Sequence, residues 1–171
     1  AAVWMIVAYA MLGDGDTALK LFEMINPINH TKTKEQVARY QGEPYVMCGD
    51  VYAVAPHEGR AGWSWYTGSA SWMYQAGLEH IIGLKVHGDH FVLEPCVPAE
   101  WKEFSLIYRH AGVSYNIAFS NPDGVQRGVA KVTVDGKEAT DGKVPLHQHT
   151  AGTTVSVIVT MGRNSAALAT S

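Results

Sequence analysis

Cysteine is scarce in this sequence, and the scarcity limits the chemistry the chain can carry. Cys48 and Cys96 are the two cysteines among 171 residues. Two isolated thiols cannot build a disulfide framework or a cysteine-based zinc site, and we expect both to lie reduced in the interior, which fits a cytosolic environment. Histidine does not supply a metal site instead. His147 and His149 would share one face of a strand, but no third ligand is evident, so no metal is expected.

The sequence also lacks an excess of charge of one sign. Thirteen Lys and Arg stand against sixteen Asp and Glu, for a formal net charge of -3. This balance gives no electrostatic reason to expect a nucleic-acid partner. The 47% hydrophobic and 17% charged fractions describe a packed globular protein, so disorder is excluded as well.

No apolar run is long enough to cross a membrane, and no signal peptide is visible. Residues 1–12 are apolar throughout, but a membrane-spanning helix needs about 20 such residues. A helix that is apolar on every face belongs inside a larger helical assembly. We therefore expect the chain to be the C-terminal portion of a longer protein. Isolated, it would expose a large apolar surface and could self-associate, for example as a homodimer.

The first half of the sequence has helical periodicity. Gly13 is a plausible helix C-cap and Asp16 the next N-cap, so two antiparallel helices joined by a short loop are expected over the first thirty residues. Residues 43–56 are expected to be extended and partly buried. A further helix is predicted from about Ser69 to Ile82, with apolar side chains on several sides, as in an inner helix of a layered helical fold.

After residue 90 the pattern alternates with a period of two. Strands are predicted around residues 91–95, 104–109, 113–119, 130–134 and 154–160, and Asp135-Gly136 supplies a two-residue hairpin turn. Several such strands, each with one apolar face, indicate an antiparallel sandwich or jelly roll. The predicted class is α+β, with a helical part over residues 1–87, a β-sandwich over residues 88–163 and a frayed tail over residues 164–171.

The stretch His57–Tyr74 organises the rest. It begins as a glycine-rich loop, passes three aromatic residues and reaches the turn Thr67-Gly68-Ser69 at a predicted helix start. Such a turn can cap a helix with a hydroxyl and leave backbone N–H groups free for an anion. Neighbouring aromatic rings suit the C–H faces of sugars. A phosphate or sugar-phosphate site is one interpretation, and a buried helix start packed by tryptophans is the other.

Several separate blocks resemble one enzyme family in order and spacing. They are His57–Tyr74, Asn26–His30, Glu43–Val46, Ile82–Leu84 and Leu93–Trp101. Over roughly residues 1–120 the sequence resembles the C-terminal end of the inverting glycoside phosphorylases, glycoside hydrolase family 94, including the phosphorylase-like region of cyclic β-1,2-glucan synthetases. The resemblance implies an (α/α)6 barrel followed by a β-sandwich. It also implies a reaction in which phosphate attacks a β-glucoside and α-glucose 1-phosphate is released with inversion.

The resemblance assigns roles to particular residues. Thr67 and Gly68 match the pair that binds phosphate. Glu43 and Tyr45 match a segment facing the sugar cleft, and the alternative for them is a structural Glu-Pro turn with a packed tyrosine. Apart from the resemblance, Arg60 could assist an anion, or it could belong to a solvated surface loop. The family's general acid lies upstream, so no catalytic residue is expected here, and the fragment alone should be inactive.

The implied partners are inorganic phosphate as co-substrate, with no cofactor, a β-glucan oligosaccharide, and the rest of the parent polypeptide. The location would be cytoplasmic, or the cytosolic part of a membrane-anchored parent. A non-catalytic β-sandwich that binds glucan or packs on a partner domain is the alternative.

Overall fold

The computed structural model describes residues 1–65 and 68–163. A helical part comes first and two β-sheets follow, so the α+β class is confirmed. The predicted frayed tail, residues 164–171, lies outside the described residues. The helices are α1 (Ala2–Leu12), α2 (Gly15–Ile25), α3 (Lys34–Tyr40) and α4 (Ser69–Gln75), with a 3₁₀ turn at Pro27–His30 and a π-helical continuation of α4 at Ala76–Ile81.

Helices α1 and α2 form the expected hairpin, with one change at its turn. Gly13 ends α1 in the left-handed conformation at φ 87°, which favours glycine because it has no Cβ. The N-cap of α2 is Asp14 and not the predicted Asp16, since the Asp14 carboxylate accepts the Thr17 N–H at 2.9 Å. Asp16 falls in the first turn, where its carboxylate accepts the Ala99 N–H and a bond from the Gln126 side chain instead.

Helix α1 has two apolar faces, of which the described residues cover one. Val3, Ile6 and Ala10 are buried against the rest of the helical part. On the opposite side Trp4 is 63% exposed, and its ring meets that of Trp72 edge-on at 5.9 Å. Met5, Met11 and Leu12 extend this exposed apolar face. None of the described helices is both long enough and apolar enough to span a bilayer.

Residues 49–63 fold back on themselves as a short antiparallel ladder, which the sequence pattern does not predict. Gly49 N–H donates to Trp63 O, and Gly62 N–H donates to Asp50 O. Val51 and Ala61 form an isolated antiparallel bridge between them. These contacts turn the predicted extended segment and the glycine-rich loop into one hairpin-like unit.

Two sheets form the β part. Their strands are β1 (Leu84–His87), β2 (His90–Leu93), β3 (Glu103–His110), β4 (Val113–Ser120), β5 (Val129–Val134), β6 (Lys137–Glu138), β7 (Val144–Pro145) and β8 (Thr154–Met161). One sheet has the order β1-β2-β7 and the other β3-β4-β8-β5-β6. Side chains of both pack into one buried core, as expected for a sandwich. Because β1 begins at Leu84, residues 84–87 lie in a sheet and not in the predicted helical part.

The larger sheet is mixed, so the prediction of an antiparallel sandwich was wrong in one pairing. Strand β8 lies between β4 and β5, antiparallel to β5 but parallel to β4. The alternation of apolar residues fixes which face of each strand is buried, and it carries no information on strand direction. The predicted Asp135-Gly136 turn does join β5 to β6.

The turn between α1 and α2 is fastened to the β part. Gly15 N–H donates to Gln126 Oε1 at 2.6 Å, and Gln126 Nε2 donates back to Asp16 at 2.9 Å. The backbone of Gly15 approaches that of Val97 so closely that an added Cβ would overlap the Val97 carbonyl. Val97 N–H in turn donates to Gln126 O. The helical and β parts therefore share a tight backbone contact.

Candidate functional site

Three residues from two distant segments meet beside the helical part. The Trp65 indole N–H donates to Glu43 Oε1 at 3.2 Å, and the Tyr45 and Trp65 rings meet edge-on with centroids 6.4 Å apart. Tyr45 is 76% exposed and Trp65 52% exposed. We call Glu43, Tyr45 and Trp65 the aromatic corner. It presents a carboxylate and two large rings to solvent, which an apolar core would not do.

The backbone of Trp65 is in an unusual conformation. Its φ is 62°, in the left-handed region that a bulky residue rarely adopts. Such a conformation costs of order 1–3 kcal/mol and persists only where surrounding contacts impose it, often at ligand sites. Here the indole bond to Glu43 is one such contact. A second contact fixes the backbone two residues before Trp65. There the Asp50 carboxylate accepts the Trp63 N–H at 3.1 Å.

Two members of the aromatic corner, Tyr45 and Trp65, line a cavity of about 440 Å³, and Glu43 is bonded to Trp65 beside it. One wall is the turn at the end of α2, and another is α4. The lining residues are Asn26, Pro27, Ile28, Pro44, Tyr45, Val46, Met47, Trp65, Ala70 and Met73. A concave, mostly apolar site with a few polar groups at its rim is typical of a small-molecule pocket.

Glu43 is ionised at neutral pH, as an ordinary glutamate is, and its hydrogen bonds further favour the charged form. Its own backbone N–H and then the Trp65 indole N–H lower the pKa of the Glu43 carboxyl below its usual range. An ionised carboxylate can only accept hydrogen bonds. Bonded to Trp65 beside the cavity, it can therefore receive bonds from the hydroxyl groups of a ligand that lies against the two rings.

The predicted phosphate pair falls partly within the structure. Thr67 lies outside the described residues, so its assignment stays a prediction. Gly68 is exposed, with φ -68° and ψ -11°, and a Cβ added there would meet no atom of the described residues within 4 Å, its chain neighbours apart. Neither dihedral angles nor packing requires glycine at this position. A ligand that approaches the backbone closely would be one reason for it.

Arg60 lies elsewhere. It belongs to the ladder of residues 49–63, where its carbonyl accepts the Tyr52 N–H, and it is not among the residues that line the cavity. The neighbouring Glu58 pairs with Arg39 at 3.7 Å on the surface. The structure therefore joins Glu43 and Tyr45 through their contacts with Trp65, and the role of Arg60 stays a prediction.

Sequence reasoning missed two parts of the site. Trp65 is one of the aromatic residues of His57–Tyr74, and nothing in its spacing marked it as the partner of Glu43. Asn26 and Pro27 belong to a block that carries the resemblance, and the Asn-Pro pair does signal the tight turn that the structure contains, but nothing in the sequence placed that turn beside Tyr45. In the described part of the chain, no three His, Cys, Asp or Glu residues are arranged to hold a metal ion.

Comparison with known proteins gives the site a family context. Residues 1–83 match the family model described as "Glycosyl hydrolase 94 superfamily, catalytic domain". That match ends where the helical part ends and β1 begins.

Curated relatives extend the likeness into the β part. The chain is 38% identical over 120 residues to the cyclic β-(1,2)-glucan synthase NdvB of Rhizobium meliloti (strain 1021), which is 70% of this chain and 4% of that protein. It is 34% identical over 161 residues to an N,N′-diacetylchitobiose phosphorylase of Vibrio furnissii, 93% of this chain and 19% of that protein. A solabiose phosphorylase of Paenibacillus borealis is 28% identical over 142 residues, 82% of this chain and 18% of that protein.

The chain thus spans less than a fifth of the length of each of these relatives. The similarity nevertheless runs across both of its parts, and the blocks that carry the aromatic corner lie within the family match. This chain belongs to the glycosyl hydrolase 94 superfamily.

Proposed function

We propose that this chain is the C-terminal portion of an inverting glycoside phosphorylase and supplies part of its phosphate and sugar pocket. The parent would cleave a β-glucoside with inorganic phosphate to give α-glucose 1-phosphate, within a protein similar to a cyclic β-1,2-glucan synthetase. The observation that carries the proposal is the aromatic corner, an ionised carboxylate held beside two exposed rings at the rim of a cavity. Relatives named as phosphorylases support the reaction type.

In the proposed reaction, a phosphate oxygen forms a bond to the anomeric carbon while the glycosidic C–O bond breaks. The leaving oxygen takes its proton from an acid elsewhere in the parent. Phosphate is the nucleophile, so no base is needed to activate water, and the two groups flanking the bond must leave room for it. Thr67 and Gly68 would contact the phosphate, and Glu43 and Tyr45 the acceptor sugar.

The exposed apolar face of α1 fits a position inside a larger helical domain. Trp4, Met11 and Leu12 would be covered by other helices of the parent, which we propose form the rest of an (α/α)6 barrel. Both cysteines are free, which supports a cytoplasmic site of action.

Gly68→Ala in the full-length protein tests the phosphate contact. The added methyl group meets no atom of the described residues beyond its chain neighbours, so the fold should be unaffected, but the methyl group would stand between the backbone and the phosphate. We expect the KM for phosphate in glucoside phosphorolysis to rise about tenfold or more, equivalent to one charge-assisted hydrogen bond of about 1.5 kcal/mol. Thr67→Ala should act in the same direction.

Gln75→Ala, at an exposed position on the same helix, is the matched control and should leave that KM unchanged. If Gly68→Ala behaves like the control, the phosphate assignment fails. The alternative function, a non-catalytic glucan-binding sandwich, predicts that the full-length protein releases no sugar phosphate under any of these conditions.

Glu43→Gln tests the sugar contact separately. The amide can still accept the Trp65 indole bond, but the negative charge is lost, and bonds from sugar hydroxyls to a charged acceptor are the stronger kind. We expect the affinity for the acceptor sugar to fall by about tenfold while the KM for phosphate stays the same. Isothermal titration with the sugar measures the first quantity.

Glu100→Gln serves as the control for Glu43→Gln, because Glu100 is exposed and lies in the connection to the β part. A loss of sugar affinity in both variants would point to general surface charge. An unchanged affinity in Glu43→Gln would remove Glu43 from the site.

A further inference from the structure

Strand β3 is a long, regular edge strand. Among the described strands it lies at one end of the five-stranded sheet, whereas the other end is the two-residue strand β6. All eight residues of β3 pair in register with β4, with no bulge and no proline. Natural sheets usually protect an edge by shortening, bending or charging it, because its free backbone groups can pair with another strand.

The free backbone groups of β3 can be identified. Ser114 N–H donates to Thr153 O, on the β8 side of β4, so its neighbours Val113 and Tyr115 turn their backbone groups toward β3. Their partners in the ladder are His110 and Tyr108. Since backbone direction alternates along a strand, four residues of β3 direct their N–H and C=O groups away from the sheet. These are Glu103, Ser105, Ile107 and Arg109.

The side chains of β3 are also incompletely covered. Ile107 is 56% exposed on the outer face of the sheet. On the inner face Phe104, Leu106 and Tyr108 pack against the core but remain only partly buried. An edge strand with free backbone groups and half-buried apolar side chains on its inner face is typical of interfaces formed by strand pairing.

We propose that two copies of this chain pair through β3 in antiparallel orientation, with Leu106 on the two-fold axis. The register follows from the charges. With Leu106 opposite Leu106 of the second copy, Glu103 faces Arg109 of that copy, and Arg109 faces its Glu103. The acidic and the basic residue of each β3 strand are then both opposite a residue of the other sign, so one Glu103–Arg109 ion pair lies at each end of the interface.

Backbone geometry favours the same register. It places Glu103 opposite Arg109 and Ser105 opposite Ile107 in hydrogen-bonded pairs, and the symmetric ladder has four such pairs and about eight N–H···O bonds. It also places Phe104 opposite Tyr108. A shift of two residues would put Glu103 opposite Ile107 or Arg109 opposite Ser105, and both ion pairs would be lost. A slip of one residue would turn the two sheet faces over. The result is one continuous ten-stranded sheet.

A charge swap tests the proposal in the 171-residue chain. Sedimentation over a range of concentrations should show a dimer, and Glu103→Arg or Arg109→Glu alone should weaken it by at least about tenfold, because each puts like charges opposite at both ends. The double variant should restore the dimer to within about threefold of the original. The double variant has the original net charge and the same β3 backbone. A dimer that returns in it therefore depends on the pairing of residues 103 and 109 and not on the total charge of the chain.

Cross-linking tests the register. In a non-hydrogen-bonded pair the Cα atoms lie about 4.5 Å apart, within disulfide reach, so Leu106→Cys should form a covalent dimer on mild oxidation. Asn116→Cys, on the neighbouring interior strand β4, is the control, and the unaltered chain shows any background from its own cysteines.

A chain that stays monomeric, or one that dimerises equally in its unaltered form and in all three charge variants, overturns the proposal. The second outcome would indicate association through the exposed face of α1. A failure of the double variant to recover, or no cross-link above background at Leu106→Cys, also contradicts it. The assay requires no phosphate or sugar, so its outcome is independent of the proposed function.

Discussion

Replacing Gly15 with alanine is expected to lower the free energy of unfolding of this chain by about 3 kcal/mol or more. The new Cβ would lie 2.8 Å from the Val97 nitrogen and closer still to its carbonyl. Both groups are backbone atoms, so no side-chain rotation can relieve the overlap, and α2 must move away from Val97. That movement would stretch the bond from Gly15 N–H to Gln126 and the bond from Ala99 N–H to Asp16.

Urea denaturation followed by tryptophan fluorescence measures this loss, and a thermal scan should show a melting temperature lower by about 6–12 °C. Gly68→Ala is the matched control, because both glycines lie at the start of a helix but an added Cβ at Gly68 has no described residue within 4 Å beyond its chain neighbours. The control should change stability by less than about 0.5 kcal/mol. Equal stabilities of the two variants would mean that α2 does not contact Val97 as described.

Asn121→Ala is expected to cost about 3 kcal/mol of stability, through unpaired polar groups. Asn121 is fully buried. Its amide donates to Trp101 O at 3.0 Å and to Val125 O at 2.9 Å, and its Oδ1 accepts the Val125 N–H at 2.9 Å. Alanine would leave three backbone groups without partners at the junction between β4 and the loop that carries Gln126.

The same urea titration measures the effect. Asn116→Ala, on the exposed face of β4, provides the comparison, and it should stay within about 0.5 kcal/mol of the unaltered chain. Asn121→Asp is a stricter variant, since it retains the acceptor for Val125 N–H but loses both donated bonds. If Asn121→Ala is as stable as Asn116→Ala, water must replace the amide, and the junction is more open than described.

Local patterns were sufficient to predict most elements of the fold. The apolar residues of α2 recur with helical spacing, and Gly13 and Asp135-Gly136 mark turns whose positive φ values favour those residues. The strands β3, β4, β5 and β8 follow their alternating apolar positions. These signals are local because each depends on side chains within one or two turns of the chain.

Pairing between distant segments could not be predicted in the same way. The parallel contact of β4 with β8 joins residues forty apart, such as Ser114 and Thr154, and its direction depends on how the intervening chain crosses the sheet. The ladder of residues 49–63 was missed because its strands are short and its pairs include glycines, which give no alternation. Strand β1 was missed because its four residues continue directly from a helix.

The site shows the same division. Resemblance to a family predicts a sugar-binding role for Glu43 and Tyr45, and the structure adds the contacts that join both residues to Trp65. That contact crosses 22 residues and depends on a left-handed backbone at Trp65, which sequence patterns do not predict for a tryptophan. Glycine patterns alone could not separate Gly68, where space is open, from Gly15, where it is absent.

The position of β8 has a consequence for how the protein is made. The last of the described strands occupies the middle of the larger sheet, so β4 and β5 have no partner between them until residue 161 has left the ribosome. Until then the β3–β4 hairpin can form by itself, but β4 and β5 keep open edges that invite pairing with other nascent chains. Completion of the sheet is therefore coupled to the end of synthesis of this segment, and the long-range closure it requires makes it a slow step of folding.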